Sequence, residues 1–143
     1  MTRGATLLEL LLAMAIMAIL LALGAPAAIA ARDRALVALQ VGRLAAAHAD
    51  TRTAARLAGA RSELVVSASA YQQRTWIGGT FTPTWTRPGA DADAVSLSGP
   101  TTPMTFDSRG FMLGVGNRTY ILSRGTASTR IVISRLGRLR ILP

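Results

Sequence analysis

GATLLELLLAMAIMAILLALGAP, Gly4 to Pro26, lies at the start of a 143-residue chain and sets what the rest of it can be. From Leu10 to Ala31 there is no charged residue. As an α-helix at 1.5 Å per residue this run is about 33 Å long, enough to span the hydrocarbon core of a bilayer. Arg32, Asp33 and Arg34 close it abruptly. One ionisable residue, Glu9, stands at its start. An unpaired carboxylate at that depth costs several kcal/mol, so Glu9 requires a partner.

Only Met1, Thr2, Arg3 and Gly4 precede the apolar run. A secretory signal peptide is cut after its apolar core, at a small-residue site. Gly4-Ala5-Thr6-Leu7-Leu8-Glu9-Leu10 instead resembles the type IV prepilin signature, in which the peptidase cuts before the apolar core. The resemblance implies cleavage between Gly4 and Ala5 by prepilin peptidase, N-methylation of Ala5, and retention of the helix. Glu9 then takes the place of the family's assembly glutamate, and Pro26 that of its helix proline. The family usually has Phe after the scissile Gly, where this chain has Ala5. The competing reading is an ordinary signal anchor with an incidental Glu. Arg3 favours a cytoplasmic N-terminus, while Arg32 and Arg34 oppose it under the positive-inside rule. The resemblance implies N-in, C-out, in the bacterial inner membrane with a periplasmic C-terminal domain.

Beyond residue 32 about 110 residues remain, the size of one domain. The net charge is +9, and all sixteen basic residues are Arg against seven acids. Such a balance points to nucleic acid, anionic lipid or acidic partners without choosing among them. There is no Cys, so no disulfide holds the domain together.

Asp33 to about Ala60 reads as a helix continuing the span. Val37, Val41, Leu44, His48 and Ala55 follow the three- and four-residue spacings of one face, with Gln40, Arg43 and Asp50 placed elsewhere. Gly59 and Arg61-Ser62 mark its end. Gly24 and Pro26 suggest a kink or a locally melted segment, because Pro removes a donor and clashes with the preceding turn. After Ser62 the period changes. Glu63 to Ala70 reads as a strand, and Thr75 to Trp85 as another, with Ile77, Phe81 and Trp85 on one face. Gly78-Gly79 and Pro83 make the second irregular, bulged or at an edge. Arg87 to Asp93 is a polar loop. Shorter strands are expected at 94–98, 104–107, 111–115, 118–123, 130–135 and 138–142, divided by Gly-containing turns.

Met104-Thr105-Phe106-Asp107-Ser108-Arg109-Gly110, and Arg130-Ile131-Val132-Ile133-Ser134-Arg135-Leu136-Gly137-Arg138-Leu139-Arg140, resemble the GspH/FimT family of minor pseudopilins. That family pairs an F-x-x-x-G turn with a terminal V-x-S-x-x-G-R-x-R hairpin. The expected fold is α+β and pilin-like: a long N-terminal helix, transmembrane and then amphipathic, packed on an antiparallel two-sheet β domain. The expected layout is a leader at 1–4, a membrane helix half at 5–32, an amphipathic half at 33–61 and a periplasmic β domain at 62–143.

Catalysis has little to work with. His48 is the only His and lies on an apolar helix face, where a hydrogen-bonded packing role is expected. No Ser-His-Asp or Cys-His set is present. Asp91 and Asp93 lack the further oxygens of a Ca²⁺ loop. No enzyme, cofactor or metal is expected. Through the resemblance, Glu9 pairs with the N-terminal amine of Ala5 on a neighbouring subunit, and a misregistered subunit leaves both charges unpaired. After Asp107 there is no acid, while Arg109, Arg118, Arg124, Arg130, Arg135, Arg138 and Arg140 follow. In the last strand Arg138 and Arg140 share a face, opposite Leu139 and Ile141, at a spacing of about 6.6 Å that suits successive phosphates. Arg135, Gly137, Arg138 and Arg140 are thus a candidate DNA interface, against the alternatives of a charge-guarded edge strand or a subunit contact. Trp76, Trp85 and Tyr71 read as core rather than as base-stacking platforms. The expectation is a minor pilin or pseudopilin of a type II secretion system or type IV pilus, with other pilins, the prepilin peptidase and the inner membrane as partners. The alternative is a DNA receptor in uptake.

Overall fold

A computed structural model describes residues 6–114 and 116–142. Gly4 and Ala5 lie outside the described residues. One helix, α1 (Leu7–Ala58), is followed by β1 (Ser62–Val66), β2 (Ala70–Ile77), β3 (Thr80–Pro88), a 3₁₀ turn at Ala90–Asp93, β4 (Ser96–Ser98), β5 (Met104–Phe106), β6 (Met112–Leu113), β7 (Arg118–Arg124), β8 (Ala127–Ile133) and β9 (Leu139–Leu142). The chain divides into two compact units between Arg32 and Asp33.

In the first unit the helix is long and apolar enough to cross a membrane, and its leucines, isoleucines and methionines are exposed. It stays helical through Gly24 and Pro26, so of the kink or melted segment expected there, the melted one is not formed. Pro26 costs one backbone bond, and an otherwise regular run of helix formers carries the helix past it.

In the second unit α1 buries Val37, Val41, Leu44, Ala47, His48, Thr51 and Ala55, one continuous stripe. Gln40 belongs to that stripe as well, fully buried, which corrects its placement elsewhere. Its position three residues after Val37 and four before Leu44 puts it on the core side, and its amide is satisfied there. Gln40 Nε2 donates to Asp93 Oδ2 at 2.5 Å, and Gln40 Oε1 accepts the Tyr71 hydroxyl at 3.3 Å. The helix ends in a Schellman motif. Gly59 adopts φ +59°, with Gly59 N–H donating to Arg56 O and Ala60 N–H to Ala55 O, both at 3.3 Å.

The strands form two antiparallel sheets, ordered β3-β2-β1-β5-β6 and β4-β7-β8-β9. Leu64, Val66, Tyr71, Met104 and Phe106 of the first meet Tyr120, Leu122, Ile131 and Ile133 of the second and the helix stripe in one core. The expected strand over 63–70 is divided. Ser67-Ala68-Ser69 is a turn, closed by Ser67 N–H to Ala70 O at 2.9 Å, with the Ser67 hydroxyl bonded to the same residue. Gly78-Gly79 is likewise a two-residue hairpin loop between paired Ile77 and Thr80, not a bulge. Both glycines have positive φ, +59° and +90°, as a primed turn requires. Trp76 therefore pairs with Phe81, their rings edge to face at 4.9 Å, and Ile77 does not share a face with Phe81. The irregularity expected at Pro83 is present: the β2/β3 register shifts at Gln73/Arg74, opposite Trp85 and Pro83. Of the expected polar loop 87–93, Arg87 and Pro88 extend β3 and Ala90–Asp93 form the 3₁₀ turn.

Where α1 enters the second unit, Arg124 Nε donates to Asp33 Oδ1 at 2.7 Å and its Nη1 donates to the carbonyl of Asp93. Arg43 Nη1 binds Asp93 Oδ2 at 2.7 Å. The first turn of this helix half is thereby tied to β7 and to the 3₁₀ turn.

Candidate functional site

Two places hold the residues singled out from sequence. At the helix start, Glu9 is the N3 residue of a capping box. Glu9 Oε2 accepts the Thr6 N–H at 2.9 Å, and Thr6 Oγ1 accepts the Glu9 N–H at 3.3 Å. Its sequence signal is T-x-x-E ahead of an apolar run, Thr6 to Glu9, which overlaps the prepilin-like motif. Within a single chain the carboxylate is therefore held by its own helix terminus, where the dipole also favours a negative charge.

At the other end, a five-residue turn joins β8 to β9. Ser134 N–H donates to Arg138 O and Gly137 N–H to Ser134 O, both at 2.8 Å, and Ser134 Oγ accepts the Arg138 N–H at 3.1 Å. Gly137 has φ +71°, the left-handed conformation that glycine adopts without strain. The second family-like motif is built the same way. Asp107 Oδ1 accepts the N–H groups of Arg109 and Phe111 at 2.9 and 2.8 Å, and Gly110 turns the chain at φ +80°. These backbone donors, Phe111 first, hold the Asp107 carboxyl below its usual range.

Arg52 and Arg56 of α1 bring the two motifs together. Arg52 Nε donates to Gly110 O at 2.9 Å, and Arg56 Nε to Arg109 O at 3.0 Å. A cleft of about 540 Å³ opens between this part of the helix and β9, bordered by Arg52, Arg56, Arg138 and Arg140, with Ala45 and Ala49 among its walls. None of these four arginines has a carboxylate partner among the described residues. Arg135 is exposed in the turn and lines neither this cleft nor the smaller one on the opposite face of β9, about 360 Å³, which Arg138 and Arg140 also border. Sequence reasoning missed Arg52 and Arg56. Their signal was the four-residue step from His48 to Arg52 to Arg56, which continues the edge of the buried stripe.

The lining of the cleft is cationic, with four arginines, and includes His48. His48 is buried, its ring edge to face with Phe106 at 5.3 Å and its Nε2 without a hydrogen-bond partner, which corrects the expectation of a hydrogen-bonded His. Burial, and then the Arg52 charge, lower its pKa to about 4. Tyr71 is fully buried; burial raises its hydroxyl to about 12, partly opposed by Arg43. Trp85 packs on the core and Trp76 is 40% exposed. Asp93 is engaged by Gln40 and Arg43, and no group of three or more metal-ligating side chains occurs among the described residues.

A long N-terminal helix seated against two antiparallel sheets is a pilin-like fold. Two crystal forms of the type IV minor pilin FimU from Pseudomonas aeruginosa strain PAO1 share it. One aligns with a TM-score of 0.65 at 16% identity, over 77% of this chain and 90% of that one. The other aligns with a TM-score of 0.58 at 15% identity, over 71% and 89%. No protein-family profile and no curated protein sequence matches the chain. The resemblance to minor pilins read from the two ends of the sequence is thus borne out in the fold.

Proposed function

We propose that this protein is a minor pilin or pseudopilin, a subunit of a type IV pilus or type II secretion machine that assembles through its N-terminal helix. The observation that carries this is the pairing of a pilin fold with an intact membrane-length helix carrying one carboxylate, Glu9, at its start. Prepilin peptidase removes Met1 to Gly4, Ala5 becomes the methylated terminus, and the chain sits in the bacterial inner membrane with its N-terminus cytoplasmic and residues 33–143 in the periplasm. Intact-mass analysis of protein from native membranes tests this. The expected product starts at Ala5 with one added methyl group, whereas cleavage near Ala25 or Ala31 makes the chain an ordinary secreted protein and removes the pilin reading. Comparing secretion, pilus-dependent motility and DNA uptake in a deletion strain assigns the machine.

A second reading, a DNA receptor in uptake, is favoured by one observation: Arg138 and Arg140 are exposed and have no carboxylate partner among the described residues, with Arg52 and Arg56 beside them. Binding through phosphate contacts weakens with salt, with a log–log slope of roughly −2 to −3 for two to three phosphates neutralised. Arg138→Gln with Arg140→Gln should flatten that slope by about two units. No binding of duplex DNA at low salt, or a double mutant that keeps the full slope, removes this reading.

A further inference from the structure

β9 ends its sheet, paired to β8 on one side only. Antiparallel pairing fixes which of its backbone groups are free. Arg138 O accepts from Ser134 N–H, so Arg138 faces β8. Two residues on, Arg140 opposite Val132 faces β8 as well, and then Leu142 opposite Arg130. The N–H and C=O groups of Leu139 and Ile141 therefore point to the open edge. No Pro or Lys and no register shift blunts this edge within the described strand, and Ile141 is 53% exposed. Its guard is charge. Arg138 and Arg140 repel any cationic strand, including β9 of a second copy, and admit an acidic one. The space beside β9 is the arginine cleft, where the small side chains of Ala45, Ala49 and Thr53 leave room along the helix.

We propose that this cleft takes an extended acidic segment of another pilin subunit, added beside β9 as a fifth strand of its sheet, with alternate carboxylates on Arg138 and Arg140, which share one face of β9, and its other side chains turned toward the helix. This rests on the subunit reading above. Free N–H and C=O groups two residues apart match an extended polypeptide. A nucleic acid engages the guanidinium groups and leaves those edge groups unused, so the backbone geometry favours the peptide.

The test uses the full chain in detergent micelles and the labelled hexapeptide (Glu-Val)3. Its controls are (Gln-Val)3 and two versions of (Glu-Val)3, one N-methylated at the valines and one at the glutamates. Strand addition predicts that (Glu-Val)3 binds and slows hydrogen exchange at the Leu139 and Ile141 amides. It predicts that one of the two N-methylated peptides loses binding, since one set of its N–H groups must face β9. (Gln-Val)3 should bind about tenfold more weakly, the sum of these exposed ion pairs. Ile141→Pro should abolish binding while β8–β9 pairing persists, because the lost N–H faces the open edge. Absence of binding at low salt overturns the proposal. So does equal binding of both N-methylated peptides, which together with competition by a single-stranded oligonucleotide marks a cleft that reads charge alone. Glu9-dependent crosslinking to other pilins in membranes is scored separately. If it is present and the peptide fails, only the strand proposal falls; if it is absent, the subunit reading falls and takes the proposal with it.

Discussion

Glu9 has two possible employers, its own helix terminus and a neighbour's amine, and one substitution separates them. Glu9→Ala removes both and costs the helix start about 1 kcal/mol. Glu9→Gln keeps an acceptor for the Thr6 N–H but loses the charge. If register comes from pairing opposite charges in lipid, Glu9→Gln inserts and folds yet fails to crosslink to other pilins, as Glu9→Ala does. Normal crosslinking of Glu9→Gln with failure of Glu9→Ala would assign Glu9 to capping alone. His48 gives a second test, in pH. Its pKa falls from 6.5 to about 4 on folding, through burial and then Arg52. The unfolded chain therefore takes up a proton between those values that the folded chain refuses. Stability should be fully present above pH 6.5 and decline as pH falls toward 4, by on the order of 2–3 kcal/mol. Asp107 works in the next window: its depressed pKa contributes stability that is lost only as pH falls through the folded value. His48→Leu should flatten urea midpoints between pH 6.5 and 4 and leave the loss below that window in place. An unchanged pH profile in His48→Leu would refute the assignment.

At the scale of elements, the helix was legible because its signals are local and redundant: an uncharged run, a 3.6-residue stripe and a glycine at its end. Gly59→Ala should cost about 1–2 kcal/mol in thermal or urea denaturation, since the Schellman turn needs the left-handed conformation. Strands were legible from Met104 onward, where each turn carries its own glycine and the motifs fix the phase. They were less so over 62–88. Ser67-Ala68-Ser69 holds no Gly or Pro, so its turn depends on serine hydroxyl bonds that periodicity does not show. Gly78-Gly79 fits a bulge or a hairpin equally well until its partner strand is known. Gln40 was misplaced because polar residues are normally outside, and only Tyr71 and Asp93, 31 and 53 residues away, make its burial tolerable. The arginine cleft was half legible. Arg138 and Arg140 stood in a motif, whereas Arg52 and Arg56 belong to the site only because the Gly110 and Gly137 turns are brought against the helix.

At the scale of the whole chain, the division between Arg32 and Asp33 separates two kinds of stability. The first unit exposes its apolar side chains and depends on lipid or on other helices to cover them. The second has its own core, from Leu44 on the helix to Phe106 and Ile131 on the two sheets, together with the Asp33–Arg124 pair at 2.7 Å that fixes the first helical turn to β7. A fragment beginning at Asp33 should therefore fold alone in water as a monomer, with mixed helix and strand by circular dichroism and a single urea transition. Leu44→Ala should lower its stability by about 2–5 kcal/mol, the cost of a cavity in a closed core. Asp33→Ala should also lower it, by up to about 3 kcal/mol, because the Arg124 guanidinium then stays largely enclosed with only the Asp93 and Ala94 carbonyls as acceptors. The two sites share no direct contact, so their effects should add within about 0.5 kcal/mol. The fragment carries this prediction, because in the full chain micelle binding by the first unit adds a second equilibrium. A purely helical spectrum, or aggregation of the unsubstituted fragment at all concentrations, would show that the β domain depends on the membrane helix and that the boundary at Asp33 is not one of folding.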